Sequence, residues 1–186
     1  MSTLSVNNIT TQTGSTITIP SGKTLIAPNH IIQVKSVTMT DSTVFSGTAF
    51  TDVTDGNNPL TISITPSAST SKFLLMMNVS ASADNGSSRF GFRFLRDSTA
   101  VGIGDTQGSR ISVSVAGIGS SSNANDETLS FTHLDSPSTS CAITYKVQGQ
   151  VEATGSQLII NRSSTNANSN TVYRPASSFT VMEIAQ

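Results

Sequence analysis

Charge is the scarcest ingredient of this chain. Asp, Glu, Lys and Arg make up 11% of its 186 residues and leave a net charge of -1. Binding of nucleic acid needs clustered Lys and Arg to neutralise phosphates, so that class of partner is excluded. Electrostatic attachment to a membrane surface is excluded on the same ground. A single cysteine, Cys141, rules out an intrachain disulfide, so a secreted domain of this size would draw stability from oligomerisation instead. No apolar run approaches the ~20 residues of a membrane-spanning helix, and the longest, Phe73 to Met77, is strand length. The N-terminus has neither a basic n-region nor an apolar h-region, so no secretory signal is expected and synthesis is placed in the host cytoplasm. Tryptophan is absent and tyrosine occurs twice, which leaves few aromatic platforms for sugars.

What the chain has instead is Ser, Thr and Asn interleaved with β-branched residues. Between Leu4 and Leu25 the apolar residues Leu4, Val6, Ile9, Ile17, Ile19 and Leu25 are too few and too scattered to form a core. The β-branched content separates this tract from a flexible Gly/Ser linker. We expect residues 1–30 to form an extended N-terminal arm that orders on another chain or on a larger body. Residues 31–186 are expected to form the folded domain, with the boundary near Pro28 to His30.

From Ile31 onward, strand-length segments recur. Leu60, Ile62 and Ile64 alternate with Thr61, Ser63 and Thr65, the period of a half-buried strand. Phe73, Leu75, Met77, Val79 and Ala81 make the longest alternating face. Its opposite face starts apolar (Leu74, Met76) and turns polar, which suits a central strand or one lying against a neighbouring subunit. Asp84-Asn85-Gly86-Ser87 reads as a hairpin turn to a strand bearing Phe90, Phe92 and Phe94. Further strands are expected at Ile31–Met39, Ala100–Ile103, Ile111–Val115, Leu129–Leu134, Ile143–Val151, Gln157–Asn161 and Phe179–Ile184. Ser120–Asp126 and Ser163–Asn170 read as polar loops. No segment has helical periodicity with caps. About ten short strands with even turn spacing predict an all-β, jelly-roll-like β-sandwich.

Catalytic chemistry finds little support. His133 and Cys141 would need a third, orienting group to form a nucleophile and base. Asp52 to Asn58 surrounds a glycine with oxygen ligands but lacks the alternation and closing Glu of a calcium loop, and a β-turn explains it. No Cys or His spacing fits zinc. No cofactor or metal site is expected, and no enzyme activity. Gly102-Ile103-Gly104 and Gly117-Ile118-Gly119 read as bends, since no helix follows to bind an anion. The sequons at Asn8, Asn78, Asn85 and Asn161 follow from the composition. Tyr173-Arg174, after the Asn-rich stretch, is the candidate ligand contact, a phenol beside a guanidinium; an edge strand leading to Pro175 is the plainer reading.

Several phrases carry a resemblance. The arm phrase Thr13 to Leu25 resembles N-terminal regions of bacteriophage tail-fibre and other virion appendage proteins. Phe94-Leu95-Arg96-Asp97-Ser98-Thr99-Ala100-Val101-Gly102-Ile103-Gly104-Asp105, Leu134-Asp135-Ser136-Pro137, Thr144-Tyr145-Lys146-Val147 and the closing Phe179 to Ala185 are similar to a small β domain of marine and cyanobacterial tailed-phage proteins. The resemblance implies a homotrimeric virion protein, fixed to other virion proteins through its arm, with its β domain facing outward towards host-surface glycan. A short tail fibre is the reading expected first. A capsid decoration or cement protein is the alternative, and a polysaccharide-cleaving appendage a remote one.

Overall fold

The computed structural model describes Ser21, residues 27–119 and residues 126–186. The expected arm, with Leu4, Val6, Ile9, Ile17, Ile19 and Leu25, lies outside the described residues, as does most of the loop at 120–126. Among the described residues the chain forms strands and no helix. In order they are β1 (Ile31–Met39), β2 (Thr43–Ser46), β3 (Thr51–Asp52), β4 (Thr61–Ile64), β5 (Lys72–Ala83), β6 (Arg89–Arg96), β7 (Thr99–Val101), β8 (Val115–Ile118), β9 (Glu127–Asp135), β10 (Ile143–Val151), β11 (Gln157–Ile160) and β12 (Ser177–Ile184).

Two antiparallel sheets face each other. The first is built on β5, which carries β9 along one edge and β12 followed by β11 along the other; β1 lies outside β12 and β2 outside β11. In the second, β10 and β6 pair at the centre, β4 and β3 line the free edge of β10, and β7 and β8 line that of β6. The fold is an all-β sandwich of curled sheets, jelly-roll-like as expected. Strand alternation sends Phe73, Leu75, Met77, Val79 and Ala81 of β5 inward against Phe90, Phe92 and Phe94 of β6 and Ile143, Tyr145 and Val147 of β10, all buried. Phe94 stacks on Phe179 of the opposite sheet, with ring centroids 5.6 Å apart.

Two local expectations are corrected. The turn at Asp84 to Ser87 does not close a hairpin, because β5 and β6 belong to different sheets. The Asn85 side chain does cap a tight turn, accepting from Ser87 N at 3.1 Å, but the chain uses that turn to cross the sandwich. The strand expected at Ile111–Val115 forms instead at Val115–Ile118, so Gly117 lies within a strand and not in a bend. A Cβ at Gly117 would sit 2.8 Å from the Phe90 ring, so the glycine makes room for the aromatic face. Gly102 does mark a bend, with φ of +61°.

With so few charges, the sheets are tied by buried polar clusters. Asp135 closes β9 and is buried between the sheets, where it accepts two bonds from Arg96 Nη1 of β6 (2.8 and 2.9 Å) and one from the Tyr145 hydroxyl of β10 (2.7 Å). Burial, then the neighbouring Asp135 carboxylate, push the Tyr145 phenol well above its ordinary value, so it stays a neutral donor. A second cluster fills the notch where β12 and β11 part along β5. There Ser177 Oγ accepts from Ser80 N at 3.0 Å and donates to Asn161 Oδ1 at 2.6 Å, while Asn161 Nδ2 donates to the Met39 carbonyl at 2.8 Å. Asn161 is fully buried with φ of +58°, so its sequon marks a structural residue.

Glu183 is the third. It points inward from β12 and is fully buried, with no cation bonded to it among the described residues. Ser67 N donates to Oε1 at 2.6 Å, Ser67 Oγ to Oε2 at 3.2 Å and Gln33 Nε2 to Oε2 at 2.5 Å. Burial raises its pKa, but the Ser71, Gln33 and Ser67 donors that face it more than offset this, so the carboxyl lies below the ordinary glutamate value.

Two predictions follow from these ties. Tyr145→Phe should lower unfolding stability by about 1 kcal/mol and Asp135→Ala by about 3 kcal/mol, since the latter strands both donors. Urea denaturation of both and of the double variant measures this, and strictly additive losses would contradict a shared cluster. The depressed pKa of Glu183 means the native state binds its proton more weakly than the unfolded chain does. Its contribution is therefore complete above 4.5, the ordinary value, and is lost as pH falls through the lower native pKa. Glu183→Gln should lower the urea midpoint at neutral pH and flatten its decline in acid; an unchanged acid limb would refute the assignment.

Candidate functional site

The two outer faces of the sandwich differ in chemistry. On the first sheet, Val34 of β1 lies opposite Met182 of β12, Met182 opposite Leu74 of β5, and Leu74 opposite Leu134 of β9. One straight row across four strands is thus wholly apolar. Val34 is 53% and Leu134 47% exposed, and Leu74 and Met182 are half-buried between them. Ile184, paired with the exposed Ile31, flanks the row on one side; Met76, between Thr180 and Thr132, flanks it on the other. Further along β5 the face turns polar at Asn78, which accepts from the Ser130 hydroxyl. The apolar patch is therefore confined to the end where the chain enters the fold. There Asn29 N donates to the Ala185 carbonyl at 2.8 Å and Ala185 N to the His30 carbonyl at 2.9 Å. Contiguous exposed apolar surface of this kind marks interaction sites.

The second sheet presents a closed polar network. Arg93 Nη2 donates to Gln148 Oε1 at 2.8 Å, and its guanidinium lies 3.6 Å from the Phe50 ring centroid. Gln148 Nε2 donates to Asp52 Oδ1 at 2.7 Å, and Lys146 Nζ to Asp52 Oδ2 at 2.6 Å. Burial raises the Asp52 pKa, but the Lys146 and Gln148 donors outweigh it and leave the carboxyl below its ordinary value. Its charge is spent within the surface itself.

Arg174 lines a polar depression of about 350 Å³ with Asn166, Asn168 and Ser169, and donates to Ser42 Oγ at 2.5 Å. Tyr173 stands outside its lining, 73% exposed, and no edge strand forms there. His133 is half-buried on β9 beneath Gly102, whose added Cβ would meet the imidazole at 2.7 Å. Cys141 is exposed in the loop before β10, its backbone N donating to Thr139 Oγ1. Asp55 accepts the backbone N–H groups of Asn57 (2.8 Å) and Asn58 (2.6 Å), and these turn bonds, the one from Asn58 first, depress its pKa. The segment at 55–58 is thus an Asx turn. Among the described residues no group of three or more His, Cys, Asp or Glu could hold a metal ion. The apolar row went unseen in the sequence because it needs the register of four strands. Its one legible sign was the pair Leu74 and Met76 on the second face of β5.

No family model matches the chain, and no curated protein matches it. Solved structures do resemble it. One is a structure of the infectious bursal disease virus Gt strain, 13% identical, covering 92% of this chain and 42% of that one, with a TM-score of 0.46. Another is the virus's derived T=1 particles (15% identical, 92% of this chain and 41% of that one, TM-score 0.41). A third is its VP2 subviral particle (16% identical, 83% and 38%, TM-score 0.38). The chain spans about two fifths of the length of these proteins. The expected membership among tailed-bacteriophage appendages, with its short tail fibre, is corrected: the solved structures that resemble this fold are of infectious bursal disease virus. The physical reason lies in the phrases that suggested it. Arg96, Asp135, Tyr145 and Glu183 come from four of those phrases, and each is consumed in holding the sandwich together. Such residues report how the sheets are tied and carry no information about the part of a particle the domain occupies.

Proposed function

We propose that this protein is a non-enzymatic virion component of the capsid decoration or cement type, made in the host cell and assembled onto the particle as a homo-oligomer. The observation that carries the reading is the apolar row Val34–Met182–Leu74–Leu134, exposed on one face of an otherwise polar, charge-poor domain. Each Leu- or Val-sized side chain buried from water contributes about 1.5–3 kcal/mol, enough for a few such residues to drive association. A patch with no charge within the row favours a like surface, so copies of the chain are its first partner, and a trimer is the assembly that fits the expected architecture. Neighbouring virion proteins are the second partner, engaged by the N-terminal arm through Leu4, Val6, Ile9, Ile17, Ile19 and Leu25. Residues 27–30 enter the fold beside the patch, so arm and patch would serve one contact region.

Light scattering on the purified chain should give a mass above that of one 19.4 kDa subunit. Val34→Lys with Leu134→Lys should weaken the association roughly thirtyfold or more, by about 2 kcal/mol, while leaving the melting temperature of the dissociated domain nearly unchanged. A monomeric wild type, or an oligomer indifferent to both charges, would defeat the self-association reading. Deletion of residues 1–26 should leave a folded domain that no longer joins the particle. Normal incorporation of that truncation would rule out the arm as anchor, and absence of density on the capsid in a particle reconstruction would rule out the decoration reading.

A further inference from the structure

A cavity of about 360 Å³ opens on the outer face of the second sheet, beneath the segment that leads from β7 to β8. Its volume falls within the range of small-molecule sites. Three features of the chain build it. The register sets Gln150 of β10 opposite Gly91 of β6, and Gly91 opposite Ala116 of β8, so the floor is low where two small residues adjoin. A Cβ at Gly91 would lie 2.7 Å from Val113 Cγ1, so the glycine leaves room for Val113 to form one wall. The segment bearing Val113 is itself tied down, with Ser114 N donating to the Phe92 carbonyl at 2.8 Å and Gly104 N to the Val113 carbonyl at 3.1 Å. The cavity is thus held by backbone bonds from both sides.

The polar groups lining it are unequal. Arg89 is engaged by Glu152 at 3.3 Å. Arg110 is exposed, and its guanidinium makes one long bond, 3.5 Å, to the Gln107 carbonyl of its own turn. Gln150 is 7% exposed, lines the cavity, and its side-chain amide has no hydrogen-bond partner among the described residues. Its polar atoms are reached by solvent through the cavity, so a ligand that enters displaces their water and must replace those hydrogen bonds. A ligand that supplies an N–H and a C=O would do so. The cavity's net formal charge is +1 from Arg89, Arg110 and Glu152; Ser109 adds a hydroxyl, and Phe90, Ile111, Val113 and Ala116 supply its apolar wall.

We propose that this cavity binds an N-acylated acidic sugar residue. Its carboxylate would meet the free fork of Arg110, its amide would pair with Gln150, and its acyl methyl would lie against Val113 and Ala116. The cavity lies on the opposite sheet from the apolar row, so the proposal does not depend on the assembly reading and assembly through that row leaves it open.

The test uses the full chain and three probes observed by saturation-transfer NMR: the methyl glycosides of N-acetylneuraminic acid, N-acetylglucosamine and glucuronic acid. The first carries both recognised groups; the others carry one each. The neuraminide should bind with a Kd of roughly 1 mM, and each single-group probe about tenfold more weakly. Arg110→Gln and Gln150→Leu should each weaken the neuraminide about tenfold, with thermal unfolding checked to show that both variants fold. Arg174→Gln, in the separate depression, should leave binding unchanged. No binding of the neuraminide, binding insensitive to both cavity variants, or loss of binding in Arg174→Gln would each overturn the proposal. Equal binding of the glucuronide would overturn the role given to Gln150.

Discussion

Strand β5 is the constraint on which the rest of the molecule depends. Its twelve residues pair with three strands at once, β9 along one edge and β12 and β11 in succession along the other. A strand so enclosed has no freedom of register, because a slip by one residue would turn Phe73, Leu75, Met77 and Val79 out of the core. Those four side chains are fully or almost fully buried, and the inner faces of β6 and β10 close over them. The succession of β12 and β11 on one edge leaves a notch near Ser80. The Asn161–Ser177 cluster exists to satisfy the backbone groups exposed there.

The scarcity of charge has a structural counterpart in how polar groups are used inside. Three ion pairs occur among the described residues, and Arg96–Asp135 is the one whose carboxylate is buried. Elsewhere the interior relies on hydroxyl and amide donors, as around Glu183, whose negative charge is held by neutral groups alone. Neutral donors need no compensating cation and lose less to desolvation, so a chain rich in Ser, Thr, Asn and Gln can cross-link two sheets with few charges. The same economy leaves the surface without a strong field, consistent with a protein whose contacts are apolar or hydrogen-bonded.

Alternation made the long strands legible. Ile143–Val151 and Ile31–Met39 appear in the structure with the expected ends, and Phe90, Phe92 and Phe94 all face inward. What alternation cannot carry is the partner of each strand. Asp84 to Ser87 has the chemistry of a reversal, and a reversal occurs, but the side to which β6 turns is decided by burial against β10, far along the chain. Strands β2 and β3, at Thr43–Ser46 and Thr51–Asp52, are too short to show a period and form because β11 and β10 offer unpaired edges. Glu183 was legible as an alternating residue of β12, yet nothing local announces that its carboxylate will be buried. Its donors, Gln33 and Ser67, lie far away in the chain. The candidate site follows the same rule: Leu74 and Met76 were visible as a second apolar face, whereas Val34, Met182 and Leu134 join them only through register.

The contrast between the outer faces is what gives these details functional meaning. If the apolar row merely reflected indifferent surface composition, similar residues would recur on the outside of the second sheet. There, instead, Arg93, Gln148, Asp52 and Lys146 bond to one another and leave no comparable row. The domain therefore has one side with a continuous apolar row and one side crossed by a hydrogen-bonded network. The apolar end coincides with the place where the chain enters the sandwich, at Asn29 and His30 beside Ala185. A domain organised in this way can attach through one sheet and leave the other, with the cavity at Gly91 and Gln150, clear of that contact.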